Sequence, residues 1–259
     1  LIANEIFSKT GIIPGIDAIL GIYAFAFQIF GDFAGYSFIA MGISKFMGFH
    51  LMTNFLFPYF VTNPSDFWKN WHISLSSWLK DYLYIPLGGN KKGSFLTYRN
   101  LFLTMFLGGL WHGAGWTFII WGVYQGVILI IFRLLYRAST VINKDNSIIN
   151  FIKIFTMFQI TCIGWLFFRA ENIAQIKNML YSIFFNLNIF SGLTFYYALI
   201  VIFHVWLVLA VQIIQKKNNN LLLYKILSYK NYTAIFLIMF YLIMLWGEFG
   251  GSEFIYFQF

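Results

Sequence analysis

Residues 101–132 read LFLTMFLGGLWHGAGWTFIIWGVYQGVILIIF, an apolar run with basic residues on both flanks. A helix of roughly 20 residues spans the ~30 Å hydrocarbon layer of a membrane. The run is therefore too long for one straight span and too short for two full spans with a loop. The positive-inside rule places both flanks in the cytoplasm, so the chain must enter the membrane and return. The glycine-rich residues 108–115 are the predicted turning point, which places His112 deep in the protein, where only a shielded backbone is tolerated.

The composition of the whole chain is that of an integral membrane protein. Hydrophobic residues make up 60% of it and charged residues 10%, far from the range of soluble domains. Four more apolar runs are predicted to span as helices, at about 15–35, 149–168, 195–214 and 232–246. The sequence thus predicts an all-α, polytopic transmembrane protein. We expect residues 1–259 to be a single membrane-embedded domain and, because the sequence begins at Leu1 without a methionine, the C-terminal part of a longer protein.

The formal net charge of +8 is distributed between the apolar runs. Nucleic-acid-binding proteins instead gather basic residues on one polar domain with interleaved aromatic residues, so this pattern argues against a nucleic-acid partner. It indicates three cytoplasmic segments, 62–100, 133–153 and 216–230. Their basic residues are Lys69, Lys80, Lys91, Lys92, Arg99, Arg133, Arg137, Lys144, Lys153, Lys216, Lys217, Lys225 and Lys230.

Residues 63–84, NPSDFWKNWHISLSSWLKDYLY, predict a single amphipathic helix at the membrane interface. Asn63 is the predicted cap, Pro64 the first helical position and Asp66 an acid in the first turn. Proline and glycines at 85–90 end the helix. Aromatic and apolar side chains share one of its faces: Trp68, Trp71, His72, Leu75, Trp78, Leu79 and Tyr82.

Asp32 interrupts the first long apolar run, within GDFAGY at residues 31–36. An acid at that depth normally faces a cavity or a partner. The alternative is that Asp32 caps a second helix beginning near Phe33, and the sequence favours neither. The only cysteine, Cys162, is predicted to be a small buried or lipid-facing residue.

Two of the four histidines are candidates for chemistry. A neutral imidazole can take a proton from a hydroxyl near neutral pH. Glycines around His112 allow close approach of a substrate, and Trp111 and Trp116 are predicted to supply an apolar wall, but the residues alone leave His112 either catalytic or structural. The helix of His72 favours a supporting role. For His50 and His204 we expect a structural role, with the ring bonded to a carbonyl.

Common catalytic motifs are missing from this sequence. It contains no HExxH, Walker or GxSxG motif. Two histidines without nearby carboxylates or thiolates also make a poor metal-ligand set, so no metal site is predicted.

The block DFWKNWHISLSSWLKDYLYIPLGGN at 66–90, followed by GLWHG at 109–113, resembles the membrane-bound O-acyltransferase (MBOAT) family. Within that family it is most similar to the bacterial alginate O-acetyltransferase branch. Residues 31–37 and the aromatic ending at 254–259 extend the resemblance. It implies transfer of an acyl group, above all acetyl, from a cytoplasmic thioester donor across the membrane to hydroxyls of an exported polysaccharide such as alginate.

The resemblance also implies a setting and a set of partners. The donor is expected to be acetyl-coenzyme A or an acyl carrier, with no bound cofactor. The expected location is the bacterial cytoplasmic (inner) membrane, where the chain is multi-pass and surrounded by the lipid bilayer. A periplasmic or extracellular acetyltransferase is the expected partner protein.

The catalytic histidine of the family falls on His112, as general base or acyl relay, and its second polar position falls on His72, on the donor side of a tunnel. The residues expected to line the substrate tunnel are Asp66, Trp71, Ser74, Ser76, Trp111 and Asp32. Lys91, Lys92 and Arg99 are predicted to attract an anionic donor at the cytoplasmic mouth. Three alternatives compete: a non-catalytic component of a polysaccharide export complex, a lipid-modifying acyltransferase and a secondary transporter.

Overall fold

The computed structural model of the protein describes residues 2–138, 146–187 and 192–247. These ranges are helical and contain no strand. A 3-10 turn at Pro58–Phe60 and a π-helical turn at Lys80–Tyr84 interrupt the α-helices. The α-helices are α1 (Ile2–Phe7), α2 (Gly15–Phe46), α3 (Pro64–Asn70), α4 (Ile73–Leu79), α5 (Ser94–His112), α6 (Trp116–Ala138), α7 (Ser147–Arg169), α8 (Ile173–Phe185), α9 (Gly192–Lys217), α10 (Leu223–Ile226) and α11 (Tyr229–Trp246).

Among the described residues, five helices are long and apolar enough to cross a membrane. Four of them, α2, α7, α9 and α11, confirm the predicted spans. The fifth is α6, whose spanning segment Trp116–Leu135 was predicted as half of a re-entrant run. The protein is therefore an all-α, multi-pass membrane protein. The predicted aromatic ending at 254–259 lies outside the described residues.

A tight hairpin of α5 and α6 carries His112 at its turn. The chain reverses at residues 113–115, inside the predicted turning point. Helix α5 begins before the apolar run at 101–132, and the polar residues Thr97 and Asn100 in this extension are buried. Thr97 Oγ1 donates to the Gly93 carbonyl (2.8 Å) and Thr104 Oγ1 to the Asn100 carbonyl (2.7 Å). The depth of this hairpin in a membrane stays a prediction.

Glycines make the close contact between α5 and α6 possible. Gly109 lies so near α6 that a Cβ there would be 2.5 Å from the Phe118 carbonyl oxygen and 3.0 Å from Gly122 Cα. Gly122 is as tightly placed, since its Cβ would be 2.7 Å from the Met105 carbonyl oxygen. Small residues let helix backbones approach in this way in membrane proteins.

Helix α2 is continuous through Asp32, so the prediction that Asp32 caps a second helix near Phe33 is wrong. The neighbours Phe33 and Ala34 are buried on one side of α2, and this packing keeps the segment helical despite Gly31 and Gly35. Asp32 is exposed on the opposite side. Cys162, which was predicted to be a small buried or lipid-facing residue, is buried on α7.

The chain divides into two compact units, Leu1–Ala198 and Leu199–Phe259. In the first unit, α2 packs against α1, α7 and α8. The start of α9 is fixed in the same unit by Thr194 Oγ1, which donates to the buried carboxylate of Asp17 (2.6 Å). The second unit contains the remainder of α9 with α10 and α11, and Phe203 contacts Trp246 there. That residues 1–259 form a single domain stays a prediction.

Candidate active site

Both candidate histidines lie at the edge of one group of buried rings, which we call the aromatic cluster. Its rings come from α2, α3, α6, α7 and the segment before α3, and each of these residues is at most 9% exposed. Neighbouring rings meet at centroid distances typical of aromatic pairs, mostly edge to face. The members are Phe30, Phe33, Phe55, Tyr59, Phe67, Trp71, Trp121, Trp165 and Phe168.

The backbone of His72 is left-handed, with φ 42° and ψ 58°. Trp71 before it is extended, so the chain turns sharply between α3 and α4. The prediction of one amphipathic helix over residues 63–84 is therefore wrong. The left-handed conformation costs a residue with a Cβ about 1–2 kcal/mol, which the surrounding structure must offset.

Residues 54–56 hold this turn in place. The Leu56 N–H donates to the Asn70 carbonyl (3.0 Å), and the Ile73 N–H donates to the Asn54 carbonyl (3.0 Å). Asn54 Oδ1 also accepts from the Ser74 N–H (3.2 Å). These bonds satisfy backbone groups that a continuous helix would have paired internally. A distant segment therefore stabilises the break.

The break sends the side chains of Trp71 and His72 in different directions. Trp71 is 3% exposed and lies in the aromatic cluster, stacked on Phe67 and 4.8 Å from the Trp165 ring. His72 contacts the cluster at its edge, with its ring 4.6 Å from Phe33 and nearly perpendicular to it. Trp71 is thus a packing residue, and His72 is the polar group on this side of the cluster.

His112 is the last residue of α5 and lies on the other side of the aromatic cluster. Its ring is 5.2 Å from Trp121 and 5.0 Å from Phe168, nearly perpendicular to both. Trp111 also contacts this ring, at 4.9 Å, but is 60% exposed, and Trp116 is 69% exposed. The buried apolar wall around His112 therefore comes from α6 and α7, and not from the two tryptophans that the sequence indicated.

Burial keeps both imidazoles neutral at physiological pH. It lowers the pKa of His72 and that of His112 to about 4 each, and the charge that His72 would carry lowers the pKa of His112 further. A proton on one histidine thus disfavours a proton on the other. A neutral imidazole has the free lone pair that a general base needs.

Acid should destabilise the protein through these two histidines. Their folded-state pKa of about 4 is below the ordinary 6.5, so between these values the unfolded chain binds more protons. The free energy of unfolding is retained in full above the ordinary pKa and falls as pH drops toward 4, by up to about 1.4 kcal/mol per pH unit for each histidine.

We expect the Tm of the detergent-solubilised protein to fall across this pH range. The double variant His72→Gln/His112→Gln is the control, because it retains the carboxylates that also titrate. Its Tm should depend less steeply on pH than that of the wild type. Equal slopes for the two proteins would contradict the expectation.

The hydrogen bonds of two predicted tunnel residues are local. Asn63 caps α3 as expected: its Oδ1 accepts from the Asp66 N–H (2.8 Å), and its Nδ2 donates to Asp66 Oδ2 (2.6 Å). Lys69 Nζ donates to Asp66 Oδ1 (2.8 Å). Partial burial raises the pKa of Asp66, but these bonds and the Lys69 charge outweigh it and lower that pKa. Ser76 Oγ donates to the Trp71 carbonyl (2.9 Å).

Hydrogen bonds from residues at the start of α5 stabilise the basic loop after the π-helical turn. Asn100 is fully buried and donates to the Gly89 carbonyl (2.9 Å). Arg99 Nη2 donates to Asn100 Oδ1 (2.9 Å) and to the Leu87 carbonyl (3.3 Å). Gly88 and Gly89 both have positive φ, which explains why glycines are needed in this turn. Arg99 thus supports the loop, while Lys91 and Lys92 are exposed.

The other two histidines differ from this pair. His204 Nδ1 donates to the Ile200 carbonyl (2.8 Å), which confirms the expected carbonyl contact. His50 is exposed in the segment after α2. In the part of the chain that the structure describes, no group of three or more His, Cys, Asp or Glu residues is placed to hold a metal ion.

The sequence analysis missed Trp121, Trp165 and Phe168 as members of the site. One signal was available, because Trp165 and Phe168 are three residues apart in an apolar helix and therefore share a face. Their position beside His112 depends on the contact of α7 with α6, which no local pattern shows.

The sequence matches the model of MBOAT, the membrane-bound O-acyltransferase family, over residues 9–169. This range contains both candidate histidines and every residue of the aromatic cluster. Helices α1, α8, α9, α10 and α11 lie outside it.

Curated relatives align with much of the same region. The chain is 49% identical to the probable alginate O-acetylase AlgI of Pseudomonas putida over 168 residues, which cover 65% of this chain and 34% of that protein. It is 40% identical to the peptidoglycan O-acetyltransferase of Helicobacter pylori, over 67% of this chain and 33% of the relative. The teichoic acid D-alanyltransferase of Bacillus subtilis is 30% identical, over 59% and 41%. The chain spans about a third of the length of the first two.

Proposed function

Since the chain belongs to the membrane-bound O-acyltransferase family, we propose that it moves acetyl groups from a cytoplasmic thioester donor to hydroxyls of an exported polysaccharide. The proposed location is the cytoplasmic (inner) membrane of a bacterium. One observation carries the proposal: the imidazole of His112 packs against buried rings of α6 and α7 within the matched region.

The relatives support the choice of acyl group and acceptor. Two of them are named for O-acetyl transfer, one to alginate and one to peptidoglycan. The relative named for D-alanyl transfer is less similar, at 30% identity. We therefore place acetyl ahead of an amino-acyl group, and a glycan hydroxyl ahead of a lipid.

The proposed reaction needs one base and one thioester. His112 accepts the proton of the acceptor hydroxyl as the hydroxyl oxygen bonds to the acyl carbon. The carbon–sulfur bond then breaks, and the departing thiolate takes the proton back from the imidazolium. The product is an acetyl ester and a free thiol, with His112 neutral again. No metal or resident cofactor is needed in this scheme.

His72 and the surrounding rings have supporting roles in this scheme. His72, at the edge of the same aromatic cluster, is the proposed polar contact on the donor side of the site. The aromatic cluster limits access of water, which would otherwise hydrolyse the thioester. A periplasmic or extracellular acetyltransferase is the proposed partner protein, and this part of the proposal rests on the resemblance to the alginate branch.

The proposal is tested in the organism that encodes this chain. The gene is deleted and restored, and ester-linked acetyl is measured on the exported polysaccharide by mild alkaline release. We expect the deletion to remove the acetyl esters and the restored gene to return them. Unchanged acetyl esters after deletion would overturn the proposal.

Exposed lysines should affect donor binding without affecting chemistry. We expect the double variant Lys91→Gln/Lys92→Gln to raise the KM for an anionic thioester several-fold at low salt and to leave kcat unchanged. The difference from wild type should shrink as salt is added, because exposed charges are screened. The matched control is Lys216→Gln/Lys217→Gln, at the end of α9. An unchanged KM in the first variant would contradict a donor-steering role.

A further inference from the structure

Two indole N–H groups in the site have no hydrogen-bond acceptor among the described residues. They belong to Trp121 on α6, which is 3% exposed, and to Trp68 on α3, whose nitrogen is inaccessible to water. The two rings contact each other, with centroids 5.8 Å apart and planes at 75°. Native proteins rarely bury such donors unpaired, so each calls for an explanation.

A third tryptophan in the aromatic cluster shows the usual arrangement. Trp165 Nε1 donates to the Tyr59 hydroxyl (3.2 Å), which in turn donates to the Ala26 carbonyl (2.5 Å). This donor is therefore paired within the fold. The unpaired N–H groups of Trp121 and Trp68 contribute nothing comparable to folding, and their burial alone is unfavourable.

One of the two tryptophans with unpaired donors contacts the candidate base, and the other contacts the first. The Trp121 ring is 5.2 Å from the His112 ring and nearly perpendicular to it, and Trp121 also contacts Trp68. A substrate carbonyl next to His112 would therefore lie beside the Trp121 ring, whose neighbour is Trp68. Donors that are fixed in advance and shielded from water are what stabilises a developing oxyanion in acyl transfer.

We propose that the indole N–H groups of Trp121 and Trp68 donate hydrogen bonds to the carbonyl oxygen of the acyl thioester and stabilise it as an oxyanion. This inference rests on the function proposed above and makes both tryptophans catalytic residues. When the hydroxyl oxygen adds to the acyl carbon, the carbonyl π electrons move onto the oxygen that these donors hold. When the carbon–sulfur bond breaks, they return to the carbonyl.

The test removes the N–H and keeps the shape of the side chain. The tryptophan analogue 3-benzothienylalanine, in which sulfur replaces the indole N–H, is incorporated at position 121, at 68, or at 165 as the control. The rate of acetyl-ester formation on the exported polysaccharide is measured in cells at matched membrane levels. The Tm of each purified protein is measured in detergent.

We expect the analogue at 121 to lower the rate by about 10²-fold, with a loss in the same direction at 68. The Tm of both should be unchanged or higher, because neither N–H has a partner in the fold. At 165 a different pattern is expected: a lower Tm from the lost bond to Tyr59, and a smaller loss of rate than at 121.

Two outcomes separate the two proposals. Normal acetylation with the analogue at 121 would overturn the oxyanion role and leave the proposed function standing. Acetylation that is equally present in cells lacking the protein would overturn both. A lower Tm with the analogue at 121 would show a structural bond and would also count against the inference.

Discussion

Replacing His112 with alanine is expected to lower acetyl-ester formation by about 10²–10⁴-fold, the usual contribution of a general base. The imidazole contacts the rings of Trp121 and Phe168, neither of which can accept a proton. Burial also keeps it neutral, with a pKa of about 4, so it is ready to accept a proton at neutral pH. The measurement is ester-linked acetyl on the exported polysaccharide at matched membrane levels of protein.

The matched control is His204→Ala, because that histidine is exposed and bonded to a carbonyl of its own helix. It should retain full activity. The variant His112→Gln keeps most of the buried volume, so it separates lost chemistry from a lost fold. Both His112 variants should insert normally and fail in acetylation. Normal acetylation in either would support a non-catalytic membrane component of a polysaccharide export complex instead.

Replacing Gly109 with leucine is expected to prevent α5 and α6 from packing. Even a Cβ at this position would be 2.5 Å from the Phe118 carbonyl oxygen, which belongs to a helix backbone and cannot move aside cheaply. Overpacking of a rigid contact costs about 1–3 kcal/mol, and a leucine should exceed that range. We expect the variant to lose its monodisperse peak in size-exclusion chromatography and to become sensitive to protease.

A milder pair of variants gives the comparison. Gly109→Ala should lower the Tm, whereas Gly35→Ala on α2 should leave it unchanged or raise it, because nothing lies within 4 Å of a Cβ there. Similar Tm values for Gly109→Ala and wild type would show that the two helices can separate without cost. The hairpin would then not be the rigid support of His112 described above.

Much of the helical architecture was predictable from local patterns. Length and hydropathy located four of the five candidate spans. The basic flanks of residues 101–132 indicated a hairpin, and the glycine-rich residues 108–115 located its turn. The length of the fifth span, α6, was underestimated, because residues 101–132 were predicted to be too short for two full spans. Buried Thr97 and Asn100 extend α5 to the N-terminal side of the apolar run, with Thr97 bonded to the Gly93 carbonyl.

The details of the site were less predictable, for physical reasons. Helical periodicity over residues 63–84 carries no information about a left-handed residue, and the bonds that stabilise the break come from Asn54 and Leu56. The partners of His112 come from helices that are distant in sequence. An unpaired indole N–H is also invisible in a sequence, since tryptophan in an apolar run most often packs without a special role.

The left-handed backbone of His72 complicates any alanine scan of residues 63–84. Alanine would remove the imidazole and also keep the unfavourable conformation, so one measured loss would mix two causes. Asparagine tolerates this conformation well, and glycine adopts it freely. A series of Ala, Asn and Gly at position 72 would therefore resolve how much of the phenotype belongs to the ring and how much to the shape of the chain that carries it.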